Sequence, residues 1–331
     1  MRSPKSSLHL ALAGVLTAGV ALAAPFASAQ EVKMPCSTAR VIVPWPAGGE
    51  SDIITRVFTD AANKLGAKPH LQVVNVTGQA GNKGTKDALA APADGCTVFN
   101  VHQSIISAYL TGRTDFTWDA FVPIGGVTVT AMILGAHPSA PFTDLKTLQS
   151  YAKANPDKVL AGASLGSTSH FNLARMQNAL GVKFKYIAYD GTRERMTALL
   201  SNTIQLGQLS ETAASQYMKS GELKVLGLIY KDKSALVPEM KTAKEQGFDL
   251  SVGTNRGFML QKGTPKPVVD YYIALVKKVA ESKDFIRQME EKGSFIWNPV
   301  GADYVKWWEK EFADWKSDAI AVGLYEPKKK S

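Results

Sequence analysis

Short apolar runs of strand character alternate with segments of helical period along most of this chain, and no other feature restricts its fold so tightly. Residues 41–43, 71–76, 97–101, 159–162, 184–187 and 204–209 read as strands. Between them apolar residues recur at helical spacing: Ile53, Ile54, Val57, Phe58, Ala61, Ala62 and Leu65 mark one face, and 85–91, 169–180 and 192–200 repeat the pattern. A β-rich run at 127–135 precedes a helix around 145–154, for which Thr143 or Asp144 is the N-cap. Residues 223–230 and 257–260 are further strands, and 267–282, 284–292 and 302–320 make a helical C-terminal part. Alternation of this kind predicts an α/β fold with mainly parallel sheets covered on both faces by helices.

The first 29 residues look like an export signal. Arg2 and Lys5 form a basic end, an apolar stretch follows, and Ala27-Ser28-Ala29 offers a cleavage site before Gln30. The apolar stretch is short for a bilayer span and is broken by Gly14 and Gly19, so cleavage is expected. About 302 residues then remain of the 331, more than one core usually serves, which predicts two lobes. No repeat, low-complexity segment or long linker separates them, so crossing segments must join them. Loss of Arg2 and Lys5 takes the formal charge from +9 to +7. The remaining excess is dispersed apart from Lys328–Lys330, and no basic stretch is interleaved with aromatics, so nucleic acid is not an expected partner.

Cys36 and Cys96 both survive cleavage into an oxidising compartment, which favours a disulfide over two buried thiols. Each sits at the start of a predicted strand; if those strands are parallel neighbours, their starts lie side by side. No C-x-x-C or H-E-x-x-H occurs, and no metal or cofactor is expected.

Two loops carry chemistry. In Val41-Ile42-Val43-Pro44-Trp45-Pro46-Ala47-Gly48-Gly49-Glu50-Ser51-Asp52 a strand ends, glycines turn the chain and a helix begins. First-turn N–H groups have no partner inside the helix and lie at the positive end of its dipole, so such a junction attracts anions. The second loop, Gly166-Ser167-Thr168-Ser169-His170, sets three hydroxyls around another helix start. Two such termini predict a carboxylate clamped between two lobes; ordinary capping is the plainer alternative. Gly162-Ala163-Ser164-Leu165-Gly166 matches a hydrolase nucleophile elbow, and an exported serine hydrolase is the rival reading. The only histidine after Ser164 is His170, too close along the chain to act as a separate loop-borne base. Neither glycine-rich loop has a nucleotide fingerprint, no carboxylate pair stands out for acid–base work, and no catalytic residue is assigned.

The order of these pieces resembles the substrate-binding proteins of tripartite tricarboxylate transporters, the Bug or TctC-like family. Beside the two loops it is carried by Arg56, Gly78-Gln79-Ala80-Gly81, Pro92-Ala93-Asp94-Gly95, Tyr189-Asp190-Gly191, Pro238, the 245–247 region and Gly263-Thr264-Pro265. The resemblance implies a type II periplasmic binding fold, closure on a small organic carboxylate with a di- or tricarboxylate favoured, and delivery to two integral membrane permease subunits by a monomeric receptor; feeding a sensor kinase is the variant with another partner. It implies that Pro46, Ala47, Gly48, Gly49, Ser51 and Asp52 face Gly166, Ser167, Thr168 and Ser169 across the ligand, with Tyr189 and Asp190 lining the second lobe. Lobe 1 is expected at 30–130 plus 252–331, and lobe 2 at 131–251. Where relatives carry Trp-x-Gly, this chain has Asn255-Arg256-Gly257. Arg256 then either holds a second ligand carboxylate with its fork or pairs with a neighbouring acid at the hinge.

Overall fold

The computed structural model describes residues 32–189, 192–234 and 236–326. The export-signal stretch, Asp190 with Gly191, and the lysine tail lie outside the described residues. The chain opens with β1 (Thr38–Val43), α1 (Glu50–Lys64), β2 (His70–Asn75), α2 (Asn82–Ala90), β3 (Thr97–Val101) and α3 (Ser104–Leu110). A long strand, β4 (Phe121–Ala136), leads to α4 (Leu145–Ala154), β5 (Leu160–Ala163), α5 (Thr168–Leu180), β6 (Lys185–Ala188), α6 (Thr192–Leu200), β7 (Leu206–Leu209), α7 (Glu211–Ser220) and β8 (Lys224–Ile229). The return runs through β9 (Gly253–Gln261) to α8 (Lys266–Ala280), α9 (Lys283–Glu290), β10 (Phe295–Ile296) and α10 (Ala302–Ala321).

The strands line up as β2-β1-β3-β9-β4-β7-β5-β6, with β8 and β10 also pairing with β4. Each end of this order is a parallel trio: β1 lies between β2 and β3, and β5 between β6 and β7. The middle departs from the parallel expectation. β4 and β9 pair antiparallel with each other and with every strand they meet. The predicted run at 127–135 covers the later part of β4, which binds β9 over its first part and β7 and β8 over its last. A strand that leaves one parallel trio and enters the other must be shared by both, and its length follows from that. The sequence run missed the first six residues of the strand, although all of them but Val122 are buried as well.

Burial separates accordingly. Val41, Ile54, Phe58, Phe258 and Val276 form one core and Ile42, Phe99, Ile106, Phe171 and Trp308 another, on β1, β3 and β9 and the helices around them. Leu134, Leu148, Ala161 and Leu173 form a third, and Ile133, Leu199, Leu209 and Leu228 a fourth, around β5 to β8. Helix α10 packs through one aromatic face: Tyr304, Trp308 and Trp315 are fully buried, and Trp315 stacks on Phe171 with ring centroids 4.8 Å apart. Asp144 caps α4 in a reciprocal capping box with Thr147. Cys36 and Cys96 form a disulfide with Cα atoms 6.0 Å apart, as the parallel pairing of β1 with β3 allows. Two helices escaped the sequence reading. In α3, Ile105, Ile106, Ala108 and Leu110 are all buried, which leaves no polar stripe to set a period. α7 is short and largely polar.

Candidate functional site

In an open parallel sheet the strands' carboxyl ends are where ligands bind, because helices begin there with free N–H groups. Here the carboxyl end of β1 feeds the Pro44–Gly49 turn, that of β3 feeds His102, that of β5 feeds Ser164–Ser167, that of β6 feeds Tyr189 and that of β7 feeds Ser210 and Glu211. Both parallel trios therefore present their loops at corresponding edges.

The first loop is built by side chains that surround it. Gly48 takes a left-handed conformation (φ 76°) and its N–H donates to Asp52 Oδ2 at 2.8 Å. Asp52 Oδ1 accepts from Asn75 Nδ2 at 2.8 Å, and Arg56 binds both carboxylate oxygens at 3.0 Å. Burial raises the Asp52 pKa, but the bonds from Arg56, Gly48 and Asn75 overcome it and hold the group ionised below its ordinary range. Asn75 also ties down the Trp45 carbonyl at 3.0 Å. Asp52 thus holds the turn in shape with its own oxygens already engaged. Gly49 is the N-cap residue of α1, and no side chain caps the helix's first turn.

The second loop repeats this by a different route. Ser167 is the N-cap residue of α5, yet its side chain makes no capping bond. Its Oγ donates to the Ser164 carbonyl at 2.7 Å and lies 3.1 Å from Ser169 Oγ. Gly166 is left-handed (φ 70°); its N–H donates to His170 Nδ1 at 3.1 Å, and its carbonyl accepts from Arg113 Nη2. The hydroxyls read as a ligand cradle are partly used to shape the loop, and the α5 backbone N–H groups are what it leaves uncapped.

A side chain that the sequence reading missed joins the loops. The His102 ring stacks on Trp45 with centroids 5.0 Å apart, and its Nδ1 lies 3.2 Å from Thr168 Oγ1. Burial, and then the Arg256 charge, push the His102 pKa down to about 3. Burial, and then Arg113, push His170 down to about 4. Both imidazoles are neutral at ordinary pH, so they supply hydrogen bonds to the site without charge. The signal available for His102 was its place directly after a buried strand.

Arg256 is 4% exposed. Its Nε donates to Ser51 Oγ at 3.0 Å, Nη1 to Thr130 Oγ1 at 2.9 Å, and Nη2 to Glu50 Oε2 at 2.6 Å. Arg256 thus pairs with an acid, one that opens α1. Tyr189 lies half-buried, its carbonyl accepting from Ser164 Oγ at 2.7 Å while Arg195 Nη1 donates to the same Oγ at 3.0 Å. His170 is engaged with Gly166 and not with Ser164, so the nucleophile-elbow match places no base on that hydroxyl. Burial, and to a lesser degree the charge of Glu50, push the Glu211 carboxyl pKa up, against the Ser234 hydroxyl bond that lowers it.

A profile of the tripartite tricarboxylate transporter receptor family, TctC, matches residues 54–324. The chain belongs to this family. A TctC solute-binding protein from Polaromonas, solved without ligand, superposes with a TM-score of 0.71 at 26% identity, over 86% of this chain and 98% of that one. MatC from Rhodopseudomonas palustris, with bound malate, gives 0.72 at 23% identity over 85% and 98%. Another R. palustris protein, solved with adipate, gives 0.77 at 22% identity over 87% and 98%. The fold is that of TctC-type periplasmic binding proteins, and the family's role is to bind the small-molecule solute of a tripartite transporter.

Proposed function

We propose that this TctC receptor is exported, captures a small organic carboxylate in the periplasm and hands it to two membrane permease subunits. The carboxylate docks between the uncapped N-termini of α1 and α5. The observation that carries this is Ser167, a capping residue turned away from its own helix, which leaves first-turn donors for an anion. Malate and adipate in the structural relatives are ligands of the same chemical class.

In this reading 30–130 with 252–331 and 131–251 act as two lobes that hinge on β4 and β9 and close on the ligand. Closure removes water, and hydrogen bonds to the anion then act in a lower dielectric. A dicarboxylate fits by placing one end in the clamp. Pro46, Ala47, Gly48, Gly49, Ser51, Gly166, Ser167, Thr168 and Ser169 form the clamp; Tyr189 borders it, and Asp52 and Arg256 support it from behind.

Mass spectrometry of the ligand released from purified, denatured protein, followed by calorimetry with malate, succinate and adipate, tests the reading. A carboxylate that binds with one site per chain supports it. Ester hydrolysis dependent on Ser164, with no carboxylate bound, would sink it.

A further inference from the structure

A cavity of about 350 Å³ lies where α5, α10 and the start of β9 meet. No residue of 46–52 or 164–169 lines it, so it is separate from both ligand loops. Arg175 on α5, with Tyr230 and Lys231 just beyond β8, forms one side; Asn255, Trp297 and Trp307 form the other. The volume falls within the ~300–1,000 Å³ of ordinary small-molecule sites.

The walls are aromatic and firmly backed. Trp297 and Trp307 meet with ring centroids 4.5 Å apart and planes at 64°, so two indoles stand as adjoining walls. Trp307 stacks on the fully buried Tyr304 at 5.9 Å, and Tyr230 packs on Phe295 at 4.9 Å. Neither backing ring lines the cavity.

The charges of the lining do not balance. Glu311 is paired with Arg175 at 3.5 Å and also accepts from Gln103 Nε2 and Trp315 Nε1. Asp314 is paired with Lys310 at 2.5 Å. Lys231 is a third cation, and its own acid, Asp232, lies 3.6 Å away and outside the lining. Three cations therefore face two acids. Among the described residues, the Tyr230 hydroxyl, the indole N–H groups of Trp297 and Trp307 and the Asn255 side-chain amide donate to no protein acceptor. Aromatic walls alone would also suit a cationic ligand, but the surplus positive charge repels one. Surplus donors and positive charge favour an anion, and the indole planes favour a flat one. We infer that this cavity is a second binding site, for a planar aromatic carboxylate whose ring lies against Trp297 and Trp307 and whose charge meets Lys231.

Calorimetry at pH 7 with indole-3-acetate and its neutral amide, indole-3-acetamide, tests this on the purified protein. The acid should bind at one site per chain with a Kd of about 1 mM or tighter, and the amide about 10-fold more weakly. Lys231→Ala and Trp307→Leu should each weaken the acid by about 5-fold or more. The Lys231 side chain is largely exposed, so that variant keeps its fold even if Trp307→Leu does not. Gly49→Val, which distorts the clamp, should change the affinity for the acid by less than about 3-fold. Loss of binding in Gly49→Val with full affinity in Lys231→Ala would place the aromatic acid in the clamp and overturn the inference. Equal affinity for acid and amide would overturn it too, as would no binding up to about 10 mM. None of these outcomes bears on the clamp, which the aliphatic acids test separately.

Discussion

Arg256 on β9 and Glu50 at the start of α1 form a 2.6 Å ion pair that couples the crossing strand to the turn before α1. The same guanidinium holds Ser51 Oγ at 3.0 Å, so one side chain fixes two consecutive residues of the α1 N-terminus. Its reach to Thr130 on β4 extends that hold to both crossing strands.

The first prediction follows from this pairing. Arg256→Met leaves Glu50 without its cation and Ser51 without its donor, and should cost about 2 kcal/mol of stability. Because Arg256 positions the clamp, a monocarboxylate and a dicarboxylate should lose affinity by similar factors, roughly 10-fold. Calorimetry on both ligands decides it; a loss confined to the dicarboxylate would return Arg256 to direct reading of a second charge.

The clamp itself is tested at Gly49. A Cβ there would lie 3.1 Å from the Pro46 carbonyl oxygen, so Gly49→Val must push the turn out of shape beside the α1 N-terminus. Wild-type protein at a ligand concentration of ~100 times Kd should gain about 2.7 kcal/mol. The variant should lose that gain while keeping its ligand-free unfolding midpoint within a few degrees. Differential scanning with and without ligand reads both quantities.

At Gly166 the backbone sets the cost. With φ at 70° and an added Cβ 3.3 Å from the Arg113 guanidinium, Gly166→Ala should destabilise by about 1–2 kcal/mol. It should also loosen Arg113 from the Gly166 carbonyl and weaken binding. Urea unfolding with ligand titration checks the pair of effects; an unaffected Kd would mean the second loop does not contact the ligand.

The two buried histidines predict a pH dependence. Burial lowers His102 from 6.5 to about 3 and His170 from 6.5 to about 4, so the native state stays unprotonated where the unfolded chain takes up protons. Their contribution is fully present above pH ~6.5 and is lost as pH falls below it, by about 2 kcal/mol per histidine between pH 7 and pH 5. His170→Gln should flatten that decline. Urea midpoints at the two pH values measure it, and equal slopes for variant and wild type would contradict the burial argument.

Removing the Cys36–Cys96 bridge by a double serine substitution should cost roughly 2–5 kcal/mol, since it frees a loop of sequence separation 60 in the unfolded chain. Ligand affinity should change little, because the bridge ties the amino ends of β1 and β3, away from the carboxyl ends that build the site.

Much was fixed by sequence alone. Alternating periods placed nearly all helices and strands of the two parallel trios, because the inner strands β3, β5 and β7 are largely buried on both faces and the helices bury one. Glycines preceded by two prolines placed the first loop, since only glycine adopts the left-handed turn at Gly48 without strain. The cysteine pair was legible from compartment and strand position. What the tertiary structure decided is which groups meet. Arg256 found Glu50, and His102 found Trp45 and Thr168, across more than fifty residues of chain in each long-range case. Glu211 became unusual only through burial, which leaves its Oε1 without a hydrogen-bond partner. Periodicity reports the faces an element buries, whereas pairing between side chains depends on strand order and register, and those emerge only when β4 and β9 join the two halves.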